Sequence, residues 1–229
     1  MQKAYHLDKQ ALLASGIQEN DRISKYLNKL DQLHQQFIHE MNPTYGPLIT
    51  AKALFDWLWI KKPARYAPHR YFRLHHVIDS QLSKDIIAVG NCLGLTLLYN
   101  CLLQRLGIDA QALYVENAFG IGPHVLTILK AGELLVDIEN ILPDGFGYKG
   151  HLNDPSRTKW GDKELVADIY HSQGNEWYEK GDYNEALKNY DMAIKLNPRY
   201  EKARLNRAIV LDRIGMEENS STSTRKTKN

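Results

Sequence analysis

The chain has 229 residues, a formal net charge of +2 and an ordinary share of apolar side chains. That suits one domain of usual size with an appendage, or two small domains. The balance of charge excludes binding along a phosphate backbone, which needs a concentrated basic face. No apolar run approaches the roughly 20 residues of a membrane span, and the N-terminus has no signal-peptide pattern, so a cytoplasmic protein is expected.

Residues 1 to about 62 read as helical. Ile23, Leu27, Leu30, Leu33 and Phe37 recur at helical spacing, with Asp21 as the expected N-cap, and Asn42-Pro43 breaks the helix. A second helix runs from about Pro47 to Ile60 and ends at Lys62-Pro63. Residues 63–80 then mix Arg65, Tyr66, Arg70, Tyr71 and Phe72 with His69, His75 and His76. Basic groups among aromatics can read RNA, but the low net charge ranks packing and a solvated face ahead of it. Histidines without a carboxylate or cysteine at ligand spacing do not make a zinc site.

Gly90-Asn91-Cys92 opens the best-defined element, an apolar helix from Cys92 to Leu106 with Gly107 as its left-handed C-cap. Leu95, Leu98, Leu102 and Leu106, joined by Leu97, Cys101 and Leu103, spread too widely for a surface helix, so it belongs in the core. The first N–H groups of a helix lie outside its hydrogen-bond ladder, at the positive end of its dipole. A thiol there is stabilised as thiolate. The two cysteines, Cys92 and Cys101, lie on nearly opposite sides of this helix and cannot bridge; Cys101 reads as a small core residue.

Ile108–Val115 reads as a strand, Asn117–Pro123 as a glycine-containing loop, and His124–Leu129 with Glu133–Glu139 as a hairpin turning at Ala131-Gly132. That turn pairs Lys130 with Glu133, Leu126 with Asp137 and His124 with Glu139. His124 and Asp137 then become diagonal neighbours on one face, within hydrogen-bonding reach. Residues 144–150 are glycine-rich, which fits either a lid over a site or an ordinary crossover.

Cys92, His124 and Asp137 supply the three groups of a thiol-based acyl-transfer site: nucleophile, base and orienting acid. Asn91, or a polar group from residues 63–80, is a candidate extra oxyanion donor, and Glu139 faces His124 closely enough to replace Asp137. The chemistry needs no cofactor, and no metal site is expected.

Gly90-Asn91-Cys92, the leucine-rich helix to Leu106-Gly107-Ile108, Pro123-His124-Val125 and Val136-Asp137-Ile138-Glu139 together resemble the transglutaminase-like core of the papain-like superfamily, over about residues 80–140. With helices before and a repeat behind, they are similar to its bacterial branch that carries tetratricopeptide repeats. The resemblance implies an α+β fold, with the cysteine helix packed on an antiparallel sheet bearing His and Asp. It also implies cysteine-dependent acyl transfer or amide hydrolysis, with Cys92 as nucleophile, His124 as base and Asp137 as acid. Leu93 departs from the aromatic usual after the nucleophile.

Residues 167–200 match the tetratricopeptide pattern through Gly174, Trp177, Gly181, Tyr183, Ala186, Tyr190, Ala193 and Pro198; Gln173 departs from the usual leucine. Glu201–Gly215 resembles the first helix of a further repeat and is expected to cap the pair. The resulting organisation is a transglutaminase-like domain over 1–155 (a helical segment over 1–80, then a core over 81–155), a repeat module over 160–215 and a disordered tail over 216–229. Its partner is expected to be a protein or peptide, whether as substrate or as ligand of a non-catalytic scaffold; nucleic acid and membrane are not expected.

Overall fold

The computed structural model describes residues 6–43 and 46–226, with side chains described for 7–43 and 46–216. The expected helical start at residues 1–5 and the end of the expected tail at 227–229 lie outside the described residues. The chain forms two compact units, Met1–Leu165 and Val166–Asn229. Among the described residues no helix is long and apolar enough to cross a membrane.

The first unit begins with α1 (His6–Ala14), α2 (Asn20–Met41), α3 (Pro47–Lys61) and α4 (Leu74–Leu82). Ile23, Leu30, Leu33 and Phe37 are buried, as the spacing predicts, with Tyr26 beside them. The N-cap is Glu19, so Asp21 lies in the first turn, where its charge still meets the positive helix end. Asn42 closes α2 in a left-handed conformation (φ 41°) immediately before Pro43. α5 (Cys92–Arg105) is buried on nearly every side, and Gly107 follows it at φ 72°. Tyr99 Oη donates to Ala51 O at 2.7 Å, which ties α5 to α3.

Next come β1 (Ala110–Ala118), β2 (Gly122–Ala131), β3 (Leu134–Ile138) and β4 (Thr158–Trp160), one antiparallel sheet in the order β3-β2-β1-β4. β4 is too short to register as a strand in the sequence. It is held by Trp160 stacking on Tyr114 at 4.3 Å and 10°. β2 is central and buried on both faces from His124 to Leu129.

The hairpin departs from its expected register. Ala131 pairs with Leu134, Ile128 with Asp137 and Thr127 with Ile138, so the turn is Gly132-Glu133 rather than Ala131-Gly132. Gly132 takes φ 63°, and the residue that must be left-handed at the first turn position is one that only glycine fills easily. Moving the turn by one residue shifts the pairing by two. Side chains keep their faces, but each finds a different neighbour.

The second unit contains α6 (Asp162–Glu179, begun in the first unit), α7 (Tyr183–Leu196) and α8 (Glu201–Lys226). Ala186, Tyr190 and Val210 form its core, with Trp177 and Tyr183 packed against them. Asp182 caps α7 by accepting from Glu185 N at 3.1 Å. Gln173 folds back on its own helix, donating to Ile169 O at 3.4 Å. α8 runs on to Lys226, through Gly215 and the stretch expected to be disordered, because nothing after Gly215 breaks a helix. Gly174 explains how α6 and α7 approach: a Cβ there would lie 2.5 Å from Tyr190 Cε1. Gly174→Ala is therefore expected to destabilise this unit by about 2 kcal/mol, read as a lower-temperature helical melt by circular dichroism.

Candidate functional site

Three elements bring the site residues together. Cys92 is the first residue of α5 and is half-buried. Asn91 is the N-cap, and its Oδ1 accepts from Gly94 N at 3.0 Å. That cap orients the side-chain amide, whose Nδ2 is the group expected as an oxyanion donor. The N–H groups of Cys92 and Leu93 are the first of the helix and have no intrahelical acceptor. The helix start is pressed against the segment before α4: Asn91 N donates to Tyr71 O at 3.1 Å, and Gly90 O accepts from Ala67 N at 3.1 Å.

His124 sits on β2 opposite Val115 and is 6% exposed. Its Nε2 lies 2.9 Å from each oxygen of Glu139, and the Cys92 thiol is the ring's other electrostatic neighbour. Burial opposes charge on this ring. Hydrogen bonding to Cys92 and Glu139 outweighs it, and the imidazole is pushed up to about 10. Glu139 is fully buried; burial raises its carboxyl, but the hydrogen bonds from His124 and His151 outweigh that and hold it below its usual range. Cys101 is the contrast: burial drives its thiol well up, so it stays protonated.

Asp137 is not beside His124. In the observed register it stands opposite Ile128, and its carboxylate accepts from Arg157 Nη1 at 2.6 Å and Nη2 at 3.1 Å. The two-residue shift that removes Asp137 carries Glu139, the first residue past β3, into the position expected for it. The expected Asp137–His124 pairing is replaced by Glu139–His124 for that geometric reason.

Several contributors carry no motif. Thr96 and Asn100 on α5, Thr127 on β2 and Asn140 after β3 form a buried polar network: Thr127 Oγ1 donates to Asn100 Oδ1 (2.7 Å), and Asn140 Nδ2 donates to Thr127 Oγ1 (2.9 Å) and Thr96 Oγ1 (3.1 Å). It fixes the cysteine helix, the histidine strand and the glutamate segment in one arrangement. Tyr66 comes from the 63–80 stretch; burial and the charges of Cys92 and Glu139 push its phenol up. Phe119, at φ 55° on the β1–β2 tip, lays its ring edge-on to His124 at 5.5 Å and to His151 at 4.9 Å. Polar residues at irregular spacing look like ordinary core exceptions in a sequence, so only the fold reveals them. Among the described residues no three His, Cys, Asp or Glu side chains are grouped to hold a metal ion, and His69, His75 and His76 are no exception.

In the second unit, Asn175, Tyr178, Glu179, Tyr190, Asn206 and Ile209 line a cavity of about 300 Å³. Asn206 Nδ2 donates to Asn175 Oδ1 at 2.9 Å on its wall.

Residues 174–215 match the family described as TPR repeat. No curated protein and no solved structure matches the chain. Stacked repeats of this kind present grooves to protein segments, so the matched repeat supports a role in protein interaction.

Proposed function

We propose that the first unit carries out cysteine-dependent acyl transfer or amide hydrolysis on a protein or peptide, through Cys92, His124 and Glu139. The observation that carries this reading is the buried His124 ring, which meets both oxygens of Glu139 and has the Cys92 thiol as its other electrostatic neighbour. The thiolate attacks the amide carbonyl and a C–S bond forms. The protonated ring gives its proton to the leaving amine as the C–N bond breaks. Water or a second amine then releases the acyl group from sulfur. The first N–H groups of α5 are suited to the oxyanion, and Tyr66 and Asn91 are the side-chain candidates for a further donor. The likeness of residues 80–140 to a transglutaminase-like core is carried by those sequence pieces; the matched family covers the repeat at 174–215.

A second reading is favoured by that match. In it the chain is a non-catalytic scaffold that holds a protein partner, and the Cys–His–Glu cluster serves the fold. Iodoacetamide labelling of the native protein, located by mass spectrometry, separates the two. The enzyme reading expects Cys92 to label at least about tenfold faster at neutral pH than an unperturbed thiol, and His124→Ala to remove the advantage. Labelling of Cys92 at the rate of a free thiol, or only in denaturant, returns the scaffold. Products from a glutamine-containing peptide library, with and without a primary amine, then tell hydrolysis from transfer.

A further inference from the structure

Glu139 has a second imidazole against it. His151 lies in the segment between β3 and β4, is 4% exposed, and directs Nε2 at Glu139 Oε2 from 3.7 Å. That buried Nε2 has no hydrogen-bond partner nearer than this carboxylate. Its ring packs edge-on to Phe119 at 4.9 Å and Tyr148 at 5.1 Å, with its centre 6.1 Å from that of His124.

The segment that carries it is tied to Asp137 through both backbone and side chain. Gly147 N and Tyr148 N both donate to Asp137 O, at 2.9 and 3.0 Å. Arg157, paired with the Asp137 carboxylate, also donates from Nη1 to His151 O at 3.0 Å. The aspartate that left the histidine in the register shift is therefore what anchors the second histidine.

The geometry points to His151 as a positioning residue: its Nε2–H steadies the Glu139 carboxylate so that both oxygens meet His124, and the Asp137–Arg157 pair holds His151 in place. This rests on the reading of Cys92, His124 and Glu139 as a thiol-based site. A glutamate side chain has three rotatable bonds; His124 Nε2 meets both oxygens and Ile141 N reaches Oε1 at 3.4 Å, so His151 supplies the further donor on the Oε2 side. The titratable groups facing the carboxylate besides His151 are His124 from β2 and Tyr66 and Tyr148 from the flanking segments, with Cys92 beyond them against His124 and Tyr66. Asp154 and Arg157 are the charges that face His151 itself. Removing the His151 donor takes away some of what keeps the buried Glu139 ionised. The carboxyl then takes up a proton at higher pH, and His124 loses its counter-charge sooner as pH falls.

Two variants test this. His151→Phe keeps a ring against Phe119 and Tyr148 but has no donor; His151→Gln keeps an N–H. In His151→Phe the acid limb of the pH profile for Cys92 alkylation moves up by about one pH unit, equivalent to about tenfold in rate on that limb. His151→Gln restores most of it. Titration of the His124 Cε1–H resonance by NMR gives a readout that needs no reactive thiol, and its midpoint falls in His151→Phe. An acid limb and a His124 midpoint identical to those of the unaltered protein in His151→Phe overturn the assignment. A slow Cys92 in the unaltered protein, with a His124 midpoint that still moves in His151→Phe, defeats the thiol reading and leaves the positioning of Glu139 standing.

Discussion

Glu139→Gln is expected to slow Cys92 alkylation at neutral pH by about a hundredfold, and to bring His124 down from about 10 toward an ordinary imidazole. Glutamine fits the space but cannot balance charge on a ring from which burial has removed water. The sign of the stability change follows. His124 is raised from 6.5 to about 10 in the fold, so its contribution is fully present below about 6.5 and is lost as pH rises through about 10. Glu139 is lowered from 4.5, so its contribution is present above 4.5 and is lost as pH falls through the folded value. The pair therefore stabilises the protein most between those limits, and Glu139→Gln flattens both edges. Urea midpoints measured across pH read this directly. Asp137→Asn tests the other carboxylate. It leaves the Arg157 guanidinium without its buried partner and is expected to cost about 3 kcal/mol, with a loss of alkylation at least tenfold smaller than that of Glu139→Gln. The reverse order of effects on alkylation would restore Asp137 to the site.

The second large effect comes from a residue with no side chain. Gly94→Ala would set a Cβ 2.4 Å from Tyr71 O, 2.7 Å from Val77 Cγ2 and 3.3 Å from Phe72 Cα. The carbonyl has no freedom to swing away, because it accepts from Asn91 N at 3.1 Å. Either the start of α5 or the chain at 71–77 must move. A loss of about 3 kcal/mol in urea unfolding is expected, together with a fall in Cys92 labelling, since a small displacement at the helix start separates sulfur from imidazole. A Gly94→Ala protein that unfolds at the same urea concentration as the unaltered one would mean that this contact is looser than it stands. Gly90→Ala meets the same carbonyl at 2.7 Å and should share the defect.

Much of this arrangement was legible in the chain. The buried α5 and its left-handed exit, the hairpin with His124 at its head and the helical pair after residue 160 all follow from periodicity and breakers. The acid was misplaced for a specific reason. Ala131-Gly132 and Gly132-Glu133 are both two-residue turns, and the choice rests on which turn position needs a positive φ. Asp137 or Glu139 takes the place diagonal to the histidine accordingly. His151, Arg157 and the Thr96–Asn100–Thr127–Asn140 network stayed hidden because their partners lie far off in sequence and no spacing links them. β4 stayed hidden because three residues carry no pattern.

The tip between β1 and β2 sets stability against protection. Phe119 holds a left-handed backbone that a bulky side chain normally avoids, and 44% of it faces solvent. Glycine at that position would relax the loop and make the molecule easier to fold. It would also strip the aromatic roof from two imidazoles and admit bulk water to the ion pair beneath. Selection for sturdiness alone would erode this residue, so its persistence in a lineage would be a mark that the shelter is used.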